Sequence, residues 1–214
     1  MVGDDRLTRT MMLRAFVAVD LDADSRKALA RAQEQAKDRT MREVSRLAPQ
    51  ARIQWVRLDS IHLTLKFLGE IADTRVEEIR RTLAATIQAQ ARFSVEVGGF
   101  GVFPDLRAPR VLWVGVSGHR DQVTSLARLA ADVDSGLDAL GFPREVRPFS
   151  PHLTLARIKE QSREVGKALA ESGLMAQTES LGSLKVDAVA LIRSDLKPSG
   201  AVYTRLWEVA LRER

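Results

Sequence analysis

Two identical strings, His62-Leu63-Thr64-Leu65 and His152-Leu153-Thr154-Leu155, hold two of the three histidines of this 214-residue chain. In an extended strand alternate side chains share a face. Each string therefore sets an imidazole beside a hydroxyl on one side and two leucines on the other. Brought face to face, two imidazoles suit an in-line displacement at phosphorus. A neutral one accepts the proton of attacking water while a charged one protonates the departing oxygen, and an ordinary pKa of about 6.5 gives access to both states. The hydroxyls of Thr64 and Thr154 can bond the non-bridging phosphate oxygens, where charge gathers in the transition state. A lone histidine on a strand is more often structural, but two in identical strings in corresponding halves of a chain point to shared chemistry.

The flanking residues divide by parity. Lys66 is two positions beyond Thr64 and so is expected on the histidine face, where an ammonium would meet phosphate; a strand-end surface lysine is the plainer alternative. Arg157 has the opposite parity to His152 and Thr154, and strict alternation turns it away from the shared face unless a bulge intervenes. Phe149, in Arg147-Pro148-Phe149-Ser150-Pro151, could stack on a base or pack into a core. His119, in Gly118-His119-Arg120, has no partner string and reads as a loop residue. A metal is the competing use of paired histidines, yet zinc needs three or four protein ligands and each string supplies one. No HExxH, Walker-type loop or Gly-x-Ser-x-Gly elbow is present.

The elements that must carry these residues follow from hydrophobic period and caps. Leu13 to Val19 reads as a strand, Asp22 to Asp24 cap a long polar helix that ends before Pro49, and Ile53 to Val56 is a short strand. Ile61 to Leu68 is a strand closed by Gly69. Thr74 and Glu77 form a capping box for a helix with Val76, Ile79, Leu83 and Ile87 on one face. Phe93 to Val97 and Val111 to Val116 are strands, with Gly98-Gly99 marking a bulge or bend. A helix runs from Val123 to Leu140, a strand from Pro151 to Ile158, and a short helix from Ser162 to Gly173. Strands Leu184 to Arg193 and Ala201 to Leu211 then flank a turn at Lys197 to Gly200. This order is α+β or mixed α/β rather than a doubly wound sheet. With one His-Leu-Thr-Leu strand in each half, it predicts an internal duplication into two lobes facing across a cleft.

Composition narrows the class. The chain has 45% hydrophobic and 29% charged residues, the balance of an ordinary globular protein. It has no cysteine, which removes disulfides, thiolate zinc sites and a cysteine nucleophile and favours the cytoplasm. The apolar run from Met11 to Val19 contains Arg14 and is too short to span a bilayer. With 33 Lys plus Arg against 28 Asp plus Glu, the formal charge of +5 favours a polyanionic partner but does not identify one.

At its two strings the sequence resembles the 2H phosphoesterases, and among them the RNA 2′,3′-cyclic phosphodiesterases, also called the 2′-5′ RNA ligase family. The resemblance covers Ala15-Phe16-Val17-Ala18-Val19-Asp20-Leu21, His62-Leu63-Thr64-Leu65-Lys66-Phe67-Leu68-Gly69-Glu70, Val111-Leu112-Trp113-Val114-Gly115, and Arg147 to Arg157, with a closing hairpin over Ser194 to Trp207. It implies a single bilobal α+β domain over residues 11–214: two pseudo-symmetric lobes of antiparallel sheet, with outer helices, around a central cleft. Residues 1–10 precede the family-like start and read as a flexible tail. The implied activity opens RNA 2′,3′-cyclic phosphate ends to a 2′-phosphomonoester without metal or other cofactor. His62 is then the proton donor and His152 the proton acceptor, a choice the near-symmetric strings cannot make themselves. The resemblance also implies that Phe149 and Arg157 contact substrate. The expected partner is RNA with a cyclic end; neither membrane nor obligate protein partner is expected, and the chain reads as a monomer. The same chemistry run backwards would join RNA ends through a 2′-5′ linkage, and a non-catalytic RNA-binding module is the alternative from another class.

Overall fold

The computed structural model of the chain describes residues 10–197 and 200–213. Residues 1–9 of the expected 1–10 tail, and Pro198 and Ser199 of the expected last turn, lie outside the described residues. Nine strands are described: β1 (Met12–Val19), β2 (Ile53–Trp55), β3 (Leu63–Ala72), β4 (Phe93–Phe103), β5 (Val111–Ser117), β6 (His152–Ile158), β7 (Ser180–Val186), β8 (Ala188–Lys197) and β9 (Gly200–Ala210). The helices are α1 (Ala23–Leu47), α2 (Val76–Ala89), α3 (Arg120–Asp138) and α4 (Ser162–Glu171). The strands form two antiparallel sheets, one in the order β3-β1-β8-β9 and the other β2-β6-β5-β4-β7. Helix α2 packs against β8 and β9 of the first sheet, α3 spans both sheets through β3 and β4, and α1 and α4 pack together on the second lobe, α1 against β7.

Most elements form for the reasons the sequence offers. Asp22 caps α1 by accepting the Ser25 N–H at 2.7 Å, and Pro49 follows just after its end. The Gly98-Gly99 pair does make a bulge, with Gly99 at φ +68° and the β4–β5 register shifting there. Three expectations are corrected. Gly69 does not close β3; it takes φ +70° next to a register shift and the strand continues to Ala72. The Thr74–Glu77 capping box does not form, because a 3-10 turn over Asp73–Arg75 leads into α2 and Glu77 instead pairs with Arg80 and Arg81. The stretch expected as one strand from Leu184 to Arg193 breaks at Asp187 into β7 and β8, which belong to different sheets.

That break shows how the lobes are assembled. Each sheet takes one histidine string, as the repeat suggests, but neither lobe is one half of the sequence. The His62 lobe is completed by β8 and β9 from the end of the chain, and the His152 lobe takes β2 and β4 from the first half. The chain crosses between sheets at β1–β2, β2–β3, β3–β4 and β7–β8, so the lobes share one continuous core. On β1 the alternation is clean: Ala15, Val17 and Val19 enter that core, while Phe16 and Ala18 form a second buried cluster with Ala190, Ile192 and Tyr203 on the opposite face. This second face looks into the cleft.

A candidate phosphoryl-transfer site between the lobes

His62 lies immediately before β3 and His152 opens β6, and the two strands approach each other across the lobe boundary. Leu63 and Leu153 are wholly buried on the core face, each worth about 1.5–3 kcal/mol of burial. Residues directly opposed in an antiparallel pair share a face, which places the threonines. Thr64 opposes Ala18, a member of the cleft-facing cluster, and Thr154 opposes Trp113, whose ring lies against His152. Among the described residues neither threonine hydroxyl is taken up by a protein hydrogen bond.

Both imidazoles are held in the same way. His62 Nδ1 sits 3.0 Å from the Ser60 carbonyl and His152 Nδ1 2.7 Å from the Ser150 carbonyl, two residues back in each case. A carbonyl oxygen only accepts, so each Nδ1 carries the hydrogen and each neutral ring presents its Nε2 lone pair. Aromatic rings hold the imidazole planes. His62 is stacked on Phe16 at 4.3 Å and meets the Tyr203 ring edge-on at 5.0 Å; His152 meets Phe103 edge-on at 4.9 Å with Trp113 at 6.2 Å.

The electrostatics are less symmetric. Burial pushes the His62 imidazole down to about 4, with the charges of Arg157 and His152 adding to the fall, against the Ser60 carbonyl and Asp20, which act the other way. At neutral pH this burial favours the uncharged ring of His62. That Arg157 and His152 both act on this ring also places them in the same electrostatic neighbourhood.

Matching bulges decide where the flanking residues go. In β3 the register passes from Ala18↔Thr64 to Val17↔Lys66, leaving Leu65 as the extra residue; in β6 it passes from Trp113↔Thr154 to Leu112↔Ala156, leaving Leu155. Each bulge reverses parity beyond it. Lys66, expected to face phosphate, is consequently 7% exposed on the core side, bonded to Asp134 of α3 and to the Pro143 carbonyl at 2.7 Å. Phe67 takes its place, 65% exposed beside Phe16. In β6 the same reversal buries Ala156 and turns Arg157 to the cleft, where among the described residues it carries no ion pair. Phe149 is half-buried and packs against the main core. His119 is exposed at the start of α3, its N–H bonded to the Gln122 side chain.

Beside His62 opens a groove of about 780 Å³ between the β2–β6 edge and the β8–β9 hairpin. Arg14, Arg52, Arg57, Arg157, Lys159 and Lys197 line it, with Asp59 as the one acidic group among its lining residues. Phe16, Trp55, Phe67 and Tyr203 add aromatic surface. Sequence reasoning missed the aromatic cages and the groove, since both depend on pairings between distant strands. It also passed over a readable signal: the repeat is longer than four residues, because a serine stands two positions before each histidine. No three His, Cys, Asp or Glu side chains gather as a metal-binding group, and no helix is long and apolar enough to cross a membrane, among the described residues.

Comparison with known proteins agrees with this arrangement. The family model described as LigT like Phosphoesterase matches residues 21–113 and 119–203. The RNA 2′,3′-cyclic phosphodiesterase of Methanothermobacter thermautotrophicus is 33% identical over 195 residues, 91% of this chain and 96% of that one. The protein of the same name from Aquifex aeolicus is 35% identical over 158 residues, 74% of this chain and 81% of that one. Among solved structures, a Thermus thermophilus protein superposes with a TM-score of 0.71 at 29% identity, over 94% of this chain and all of that one. Escherichia coli LigT complexed with 3′-AMP gives a TM-score of 0.63 at 25% identity, over 94% of this chain and 99% of that one.

Proposed function

The chain belongs to the LigT-like 2H phosphoesterase family, and from that premise we propose that it hydrolyses RNA 2′,3′-cyclic phosphate ends to 2′-phosphomonoesters, with His152 as proton acceptor, His62 as proton donor and no metal. The observation that carries this reading is the paired constraint on the histidines, each with Nδ1–H tied to a carbonyl and Nε2 left for chemistry. His152 Nε2 takes a proton from water as its oxygen attacks phosphorus. The P–O3′ bond breaks, and His62 Nε2–H protonates O3′. The product carries a free 3′-hydroxyl and a 2′-phosphate, and proton exchange with solvent resets both rings.

Thr64 and Thr154 bond the non-bridging oxygens, and Arg157 balances the charge that gathers there. The donor must be charged, whereas burial favours neutral His62 before substrate binds. The substrate's own phosphate anion supplies the missing stabilisation, so the donor is loaded as the substrate binds. The cations and aromatic rings of the groove suit the phosphates and bases of the RNA leading up to the cyclic end. The test is incubation of a short RNA ending in a 2′,3′-cyclic phosphate with the protein in EDTA, followed by mapping of the product phosphate. Turnover giving the 2′-phosphate is expected. A 3′-phosphate product would reverse the leaving oxygen, and turnover only on adding metal would remove the two-histidine scheme.

A further inference from the structure

Two hydrogen-bonded bridges tie the approach to each histidine to the strand that carries the other. Segment 142–151, which runs into His152, has no regular structure and is largely exposed. Near its start it is held by Lys66 on β3, four residues beyond His62, whose ammonium bonds the Pro143 carbonyl at 2.7 Å and the Asp134 carboxylate. Asp134 in turn accepts the Glu145 N–H at 3.2 Å. On the other side, segment 56–62 runs into His62. The Val56 N–H bonds the Leu155 carbonyl on β6 at 2.9 Å, and Gln33, buried in α1, sends its Nε2 to the carbonyls of Val56 at 2.8 Å and Leu155 at 3.1 Å. The bulges make both bridges available. One turns Lys66 inward, and the other makes Leu155 the extra residue, whose carbonyl goes to Val56 and Gln33.

We propose that Lys66–Asp134 and Gln33 are reciprocal positioning braces that fix the distance and tilt between the two catalytic Nε2 atoms. The proposal rests on the reading of His62 and His152 as an acid–base pair. A buried ion pair is a weak source of net stability, because an apolar pair of similar volume usually packs as well. What an apolar pair cannot do is hold the Pro143 carbonyl and the Glu145 N–H, and through them the segment that ends at the Ser150 carbonyl beneath His152. Misplacement of a reacting group by about 1 Å costs on the order of 10²-fold in rate.

The test compares kcat and KM of Lys66→Met/Asp134→Leu and of Gln33→Met on a cyclic-phosphate dinucleotide, with His62→Ala and His152→Ala run alongside and folding checked by circular dichroism and Tm. Each folded brace variant is expected to lose roughly 10- to 100-fold in kcat with KM within about threefold, and to keep a Tm near that of the wild type. A folded variant of each brace with wild-type kcat, or with a loss confined to KM, would overturn the proposal. Should the double variant not fold, Gln33→Met decides alone. Wild-type activity in either histidine variant would instead remove the acid–base pair itself, a result distinct from failure of the braces.

Discussion

Substrate binding is expected to recharge His62. Without substrate, burial holds its imidazole at about 4, so at pH 7 only about one molecule in a thousand carries the proton that donation to O3′ needs. The perturbation to apply is a bound phosphate. A single negative charge about 5 Å from the ring, at an effective dielectric of about 20, is worth roughly 3 kcal/mol to the protonated form, which raises the pKa by roughly 2. Adenosine 2′-monophosphate, the nucleotide unit of the proposed product, supplies that charge without turning over. The assay is a pH titration of the His62 ring resonances by NMR, with and without the nucleotide. The acidic titration should move up by roughly two pH units on binding, and the kcat profile should show the same limb displaced from its position in kcat/KM, because kcat reports the bound enzyme and kcat/KM the free one. A His62 titration that stays near 4 with the nucleotide bound would refute this loading step and would exchange the donor and acceptor roles.

The same depressed pKa bears on stability. Between pH about 6.5 and about 4 the unfolded chain binds a proton at His62 that the folded chain refuses, so stability falls with pH across that window by up to about 3 kcal/mol and then levels off; urea unfolding should show this component in wild type and not in His62→Asn. Arg157→Gln removes a charge-assisted phosphate contact worth about 1.5–3 kcal/mol, so kcat/KM should fall roughly 10- to 150-fold, and, because the Arg157 charge adds to the burial that holds His62 down, the free His62 titration should rise. Gly101→Ala puts a methyl carbon 2.2 Å from Cη2 and Cζ2 of Trp113, the ring beside His152; urea unfolding should show a loss of about 1–3 kcal/mol, and kcat should drop with it.

The two histidines, their threonines and the leucines beneath them were legible because a strand's period of two sorts them without any tertiary knowledge. Lys66 and Arg157 were misplaced by that same rule, because the Leu65 and Leu155 bulges reverse parity and nothing in Thr-Leu-Lys or Thr-Leu-Ala announces an extra residue. Arg157 lines the groove although the strand pattern turned it away, and Phe149, for which stacking on a base and packing into a core were both open, rests half-buried against the core. The duplication was visible as a repeated string, but not the interleaving of the lobes, since the crossing at Asp187 interrupts an otherwise uniform strand pattern. The capping box failed for a local reason: the carboxylate of Glu77 has two arginines within about one turn, and they take it. Phe16, Tyr203, Phe103 and Trp113 are ordinary strand aromatics until distant pairings bring them around the imidazoles.

The most direct test of the acid–base pair is single-turnover cleavage of a cyclic-phosphate RNA in EDTA by wild type, His62→Ala, His152→Ala and the double variant. Groups that act as one unit lose rate as a unit. Each single variant should lose on the order of 10² to 10⁴ in rate, and the double variant little more than the worse single one. A wild-type rate in either single variant, or losses that multiply in the double variant, would contradict the account.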